Sequence, residues 1–230
     1  MAYMAFLRPM WSWLRGESLE GQLAENFLGI TGEVPHRDGH ATVATMRAHR
    51  SGVPWESMLQ SWLLLDSHDT ARFTALTGSV QRTMVGVGMQ MTMPGVPMVW
   101  EGDEIGLGGL WGEDSRRGMP WNDTDSWNHD LLTWYKALIL LRRSSDALAV
   151  GGLRYVAVES DVIVYLRETS SERILCAAIR ANSDTVVRIN RVLLGASSFT
   201  TLVGIDLYLS NGDCVDIPPG GPAFHAWRIS

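Results

Sequence analysis

The densest set of groups able to do chemistry is Asp66-Ser67-His68-Asp69-Thr70-Ala71-Arg72-Phe73. It follows a continuous apolar run, Trp62–Leu65, which reads as a short buried strand. That run delivers His68 and Asp69 side by side, with Arg72 three residues beyond Asp69. A His beside an Asp can polarise a hydroxyl or bind a metal. The same residues also suit a structural task, in which Asp69 or Thr70 caps the next helix through its side-chain oxygen. A second apolar run, Val96–Trp100, ends in Glu101-Gly102-Asp103-Glu104, and a third polar set, Asp114-Ser115-Arg116-Arg117, lies in a Gly-rich loop.

The elements that must hold these groups alternate. Helical stretches near 40–50 and 54–61 precede Trp62–Leu65. A helix over Val80–Met91, weakened by Gly86 and Gly88, precedes Val96–Trp100. An amphipathic helix over Ser126–Arg143 follows, with Leu131, Tyr135 and Leu138 on one stripe and Leu132 and Ile139 beside it. Helix, strand, polar loop, repeated, is the grammar of a parallel α/β fold, in which chemistry collects at the C-terminal ends of strands.

Beyond Gly151-Gly152 the texture changes to strands and turns. Candidate strands are Arg154–Val158, Val162–Leu166, Ile174–Ile179, Val186–Ile189, Thr200–Val203, Asp206–Leu209, Cys214–Ile217 and Phe224–Ile229, with a hairpin-like turn at Asn211-Gly212-Asp213. The pattern predicts a small antiparallel β-sandwich over 151–230, with a hydrophobic pattern of its own. The fold class is therefore α/β plus all-β.

Composition narrows the function. The net charge of −6 and the lack of a Lys/Arg cluster argue against nucleic acid. No apolar stretch is long enough to span a membrane. The start, MAYMAFLRPMWSWLRG, lacks a basic region and is broken by Arg8 and Pro9, so it does not read as a signal peptide and a cytoplasmic location is expected. Cys176 and Cys214 fall in strands and are expected to be free thiols; no zinc spacing exists. Ten Trp offer flat surfaces for sugar rings, but for Trp11, Trp13, Trp111 and Trp121 packing is the better reading.

Leu64-Leu65-Asp66-Ser67-His68-Asp69-Thr70-Ala71-Arg72-Phe73 closely resembles the seventh-strand segment of the α-amylase family of glycoside hydrolases, in the form carried by neopullulanase-like, cyclomaltodextrinase-like and maltodextrin-glucosidase-like members. Pro94–Leu107 resembles the family's eighth-strand segment, and Asp114–Trp121 the segment after it, with Gly118 in place of a common Pro. Ala2-Tyr3 with Phe6 is similar to the sixth-strand segment. The resemblance implies that 1–146 is the C-terminal part of a (β/α)8 TIM barrel, about strands six to eight, and that 151–230 is the family's C-terminal β-sandwich domain.

The same resemblance implies roles. Asp69 is the third carboxylate, which does not attack but supports positive charge as the sugar becomes oxocarbenium-like. His68 binds hydroxyls of the same sugar, and Arg72 and Arg116 help to bind substrate. Glu101, Asp103 and Glu104 are mainly structural. The family nucleophile, within "G-x-R-x-D", has no counterpart. Thr31-Gly32-Glu33-Val34-Pro35-His36 mimics the general-acid segment but lies after the sixth-strand match and in a loop. The expected parent is a retaining α-glucan hydrolase acting on α-1,4 or α-1,6 links of maltodextrins, with no metal or cofactor in this part. Alternatives are a transglycosylase parent, a glucan-binding or interaction fragment without chemistry, and a non-enzymatic relative that uses the barrel as a scaffold. The chain alone is expected to be inactive.

Overall fold

The computed structural model describes residues 3–24, 32–182, 184, 186–207, 209–210 and 213–230. A π-helical turn, Tyr3–Leu7, leads into α1 (Arg8–Arg15), followed by α2 (Gly39–Ser51), α3 (Trp55–Leu59), β1 (Trp62–Leu64), α4 (Phe73–Thr77), α5 (Val80–Thr92), β2 (Val96–Met98), α6 (His129–Arg143) and α7 (Asp146–Ala149). Then come β3 (Gly152–Val158), β4 (Val162–Glu168), β5 (Arg173–Ile179), β6 (Val187–Asn190), α8 (Arg191–Leu194), β7 (Phe199–Val203), β8 (Leu209–Ser210), β9 (Cys214–Ile217) and β10 (Ala223–Ile229). No helix among the described residues is long and apolar enough to cross a membrane.

Helix starts follow local chemistry. Asp38, Ser79, Asn128 and Ser145 each accept a backbone N–H of the first turn, satisfying donors that have no partner within the helix. Gly86 and Gly88 weaken α5 in isolation, yet packing demands them. A Cβ at Gly86 would lie 2.4 Å from the Phe73 ring, and one at Gly88 2.3 Å from that of Phe224. The C-terminal carbonyls of α5 are taken by two guanidinium groups, that of Arg167 buried and that of Arg142 half-buried. Arg142 donates to Met91 O (2.9 Å) and Met93 O (3.0 Å), and Arg167 donates to Thr92 O. Burial pulls both arginines down to about 10.

β1 and β2 pair in parallel, Trp62 opposite Val96 and Leu64 opposite Met98, joined by a crossover through α4 and α5. Gln90, wholly buried on α5, pins the pair by donating to Leu63 O (3.0 Å) and Met98 O (2.9 Å). Three barrel strands are expected from the sequence; among the described residues one parallel pair forms. The segment resembling the sixth strand is helical from Tyr3 onward and continues into α1. A helix satisfies its own backbone groups, whereas a strand there would need a paired neighbour. Burial of the pair is also less complete than the apolar runs suggest. Leu63, Leu64 and Leu65 are buried, but Trp62 is 52% and Val96 44% exposed. On α6, Leu131, Tyr135 and Leu138 are buried, but Ile139 faces solvent, so the apolar stripe is narrower than its composition.

Among the described residues the C-terminal part has two antiparallel sheets, β3-β4-β5-β10-β7 and β6-β9-β8. The larger is sandwiched. Ile163, Tyr165, Ile174, Cys176, Phe224 and Ala226 join the core shared with the helices. Their alternates Val162, Val164, Leu166, Leu175, Ala177 and Trp227 face the small sheet. This explains why β4 and β5 read as unbroken apolar runs: both faces are covered. Of the strand expected over Asp206–Leu209, Asp206 and Leu207 lie outside any strand, Leu209 pairs with Ser210 in β8, and residue 208 lies outside the described residues; Asp206 accepts the Thr201 hydroxyl at 2.6 Å. Asn211 and Gly212 of the expected hairpin turn lie outside the described residues. Cys176 and Cys214 are free thiols on different sheets, and burial pushes Cys176 up to about 12. The two parts are joined by more than the chain. Thr92 and Tyr165 share a hydroxyl contact at 2.6 Å, Trp13 Nε1 donates to Ser160 O at 3.0 Å, and Arg180 Nη1 donates to Trp13 O at 2.7 Å.

Candidate active site

The strand β1 ends in a tight turn. Thr70 N donates to Ser67 O (3.1 Å), Ser67 N to Thr70 Oγ1 (3.1 Å), and Asp69 N to Ser67 Oγ (3.3 Å). The turn is buried on both sides of its tip, at Asp66, Ser67, Thr70, Ala71 and Arg72. His68 and Asp69 form the tip, with side chains 56% and 15% exposed. From below, the indole of Trp11 donates to Leu65 O at 2.6 Å. Trp11 and Trp13 are wholly buried and pack, as the sequence suggests, while Trp121 is 68% exposed with its edge against Trp127.

The capping task falls to a different carboxylate from the one the sequence offers. Asp66 Oδ2 accepts the Phe73 N–H at 2.7 Å, at the start of α4. Asp69 instead meets two nitrogen-bearing side chains on one oxygen. Its Oδ1 lies 3.2 Å from His68 Nε2 and 3.8 Å from Arg116 Nη2. Arg116 is fixed by donating from Nε to His68 O at 2.9 Å, and its Nη1 lies 3.7 Å from Glu113. His68 rests on the Trp100 ring, 5.8 Å between centroids. So the structure brings together three of the residues singled out in the sequence, His68, Asp69 and Arg116.

Arg72 departs from its expected role. Its side chain is wholly buried and engaged by protein: Nε donates to Ser115 O (3.0 Å), and Nη1 to Glu101 O (2.5 Å) and to Asp103 Oδ1 (3.0 Å). It also lies over the Trp100 ring at 5.2 Å. A guanidinium so placed has no surface to offer a sugar; it ties the turn after β1 to the loops after β2. Ser115 completes that tie, donating from Oγ to Thr70 O (2.6 Å) and sharing a contact with Gly112 O (2.8 Å). Asp103 and Glu104 serve the loop, Glu104 by accepting Gly102 N at 2.8 Å, while Glu101 is exposed. Glu33 is exposed beside the isolated bridge between Leu19 and Val34, far in the chain from any strand end of the parallel pair.

Trp100, Ser115 and Asp66 belong to the site's frame without having been given a role from the sequence. For Asp66 a signal existed, an acid set directly after an apolar run; for Ser115 none did. Burial pushes Asp66 up to about 6, partly offset by Asp103, the Phe73 N–H and Arg72. Burial and then the charge of Asp66 raise Asp103 well above the usual carboxylate range. No group of three or more His, Cys, Asp or Glu side chains suited to a metal occurs among the described residues. Chemically, the tip can accept hydrogen bonds from hydroxyls and place negative charge beside a developing cation. A retaining glycosidase needs two further carboxyl groups, one to attack and one to protonate the leaving group.

The catalytic-domain model of α-amylase matches residues 31–146, half of the chain. A cyclomaltodextrinase of Bacillus sp is 34% identical over 151 residues, covering 64% of this chain and 26% of that protein. Neopullulanase 2 of Thermoactinomyces vulgaris is 35% identical over 116 residues, 49% of this chain and 20% of its own. Among solved structures, a debranching enzyme of Nostoc punctiforme superposes with a TM-score of 0.79 at 20% identity, over 99% of this chain and 45% of that one; at that identity the likeness concerns the fold. Cyclic α-maltosyl-(1→6)-maltose hydrolase of Arthrobacter globiformis superposes with a TM-score of 0.68 at 26% identity, over 84% of this chain and 41% of its own. The chain thus spans 26% or less of these curated relatives and under half of these solved structures. With the His68-Asp69 turn at a parallel strand end and the family match running across it, the chain belongs to the α-amylase family of glycosidases.

Proposed function

We propose that this chain carries the transition-state-stabilising wall of a retaining α-glucan hydrolase acting on α-1,4 or α-1,6 links of maltodextrins. The observation that carries the reading is the position of Asp69, at the tip of a braced turn with His68 and Arg116 on one oxygen. In this reading Asp69 accepts hydrogen bonds from ring hydroxyls, which strengthen as positive charge grows on the sugar. His68 and Arg116 bind hydroxyls and hold the carboxylate in place. Arg72 acts from beneath, as a positioning residue. The nucleophile and the general acid of the complete site are residues outside this chain.

The test is a chimaera in which this chain replaces the matching part of the Bacillus cyclomaltodextrinase. Hydrolysis of maltotriose is followed as kcat and KM. Asp69→Asn keeps the shape and removes the charge, and is expected to lower kcat about a hundredfold, about 2.7 kcal/mol. His68→Asn is expected to lower kcat less and to raise KM. An Asp69→Asn chimaera that kept more than about a tenth of kcat, a loss of only ~1.4 kcal/mol, would remove Asp69 from the chemistry.

A further inference from the structure

Beneath the exposed turn lies a group of charges that the proposed reaction does not use. Asp66, two residues beyond β1, and Asp103, in the turn after β2, are 1% and 5% exposed, and their carboxyl groups are hydrogen-bonded to each other. Asp66 Oδ2 is occupied by the Phe73 N–H at 2.7 Å, and Asp103 Oδ1 by Arg72 Nη1 at 3.0 Å. Asp66 Oδ1 is buried and meets no N–H or hydroxyl donor. Two ionised carboxylates offer each other only lone pairs, so a hydrogen bond between them requires a proton on one. Charge points the same way. With one proton the two acids balance Arg72; with none, a net negative charge is left in the interior. The other ionisable groups acting there are the buried hydroxyl of Tyr135, from α6, and Glu104, and neither adds a positive charge.

We propose that Asp66 and Asp103 share a single proton at neutral pH, and that this proton fastens the turn bearing His68 and Asp69 to the loop after β2. The fastening has a direct route. Asp66 sits two residues before His68, and Asp103 grips Arg72, which holds Glu101 O and Ser115 O. Burial raises both acids, and the two titrate as a unit. The sign follows: the folded pair holds its proton more tightly than the unfolded chain does. The stabilisation is complete below the ordinary carboxylate pKa of about 4 and is lost as pH rises through the pair's own titration. The clamp holds whether or not a sugar meets Asp69, so its test stands apart from that of the proposed function.

The experiment uses the whole chain, as wild type, Asp66→Asn, Asp103→Asn and the double variant. Infrared difference spectra report protonated carboxyl groups, and urea unfolding reports stability, both from about pH 5 to 9. A protonated carboxyl band is expected in wild type above the range in which exposed acids ionise, and is expected to vanish in either single variant. Each amide keeps the accepting oxygen and supplies an N–H where the proton was, so each single variant retains the contact. Relative to them, the wild-type unfolding constant is expected to rise up to tenfold per pH unit, the slope for one proton. The double variant leaves Arg72 without a counter-charge and is expected to be less stable than either single one. Single variants with the pH dependence of wild type would overturn the proposal. Should a variant fail to fold, the wild-type band decides alone: its absence above about pH 6 overturns the shared proton.

Discussion

Replacing Arg72 by Met tests how the site is braced. Methionine fills similar space without charge or donors, so the change removes the hydrogen bonds to Glu101 O and Ser115 O and the ion pair with Asp103 while keeping most of the packing. Breaking a buried ion pair by deleting one partner costs about 3–5 kcal/mol, because the other charge is left uncompensated. The carbonyl of Ser115, a buried residue, adds about 1–3 kcal/mol if left without a donor and nothing relaxes. The loops joined by Arg72 can reach water once released, so the sum is an upper bound and the expected loss is about 4–5 kcal/mol at neutral pH. It should shrink toward about pH 5, because Asp66 and Asp103 can take up protons to replace the missing positive charge. The assay is urea unfolding followed by tryptophan fluorescence, with Trp100 stacked on the mutated position as a near reporter. Arg117→Ala, which removes an exposed pair with Asp114, is the control and is expected to leave stability unchanged. A loss for Arg72→Met below about 1 kcal/mol, or one equal at both pH values, would refute Arg72 as the brace.

The remaining expectations concern the chain alone and the joint between its parts. Purified 1–230 is expected to release no glucose or maltose from maltotriose above a blank; turnover that survived Asp69→Asn would contradict both the inactivity and the role of Asp69. Gly88→Ala forces a methyl group into the Phe224 ring and is expected to cost about 1–3 kcal/mol, read as a lower urea midpoint for the whole chain. A stability equal to wild type would mean that α5 and β10 part easily.

What could be read from the sequence, and what could not, divides along sequence distance. The turn at His68 and Asp69 was legible because its determinants are local: an apolar run, then polar residues whose own side chains close the turn through Ser67 and Thr70. The strands β3, β4, β5 and β10 were legible for the same reason, each being a run of residues suited to a covered sheet. Arg72 was misplaced because its fate depends on carbonyls 29 and 43 residues away, which carry no side-chain signature at all. Its position three residues after Asp69 suggests a partner in binding; only the return of the later loops shows its Nε and Nη1 taken by protein and the whole side chain buried. The helical Tyr3–Leu7 fails differently. Its apolar residues suit burial in either state, and what decides between strand and helix is a neighbouring strand edge to pair with, which composition does not report. The glycines of α5 bridge the two cases. Locally they argue against a helix, yet they are where the helix meets Phe73 and Phe224, so a weakness in propensity marked the closest packing in the fold. The same logic applies to the two acids beneath the site. A carboxylate buried directly after an apolar run breaks a local rule. In Asp66 that breach coincides with a helix start to cap, a second acid to share a proton with and a turn to hold in place.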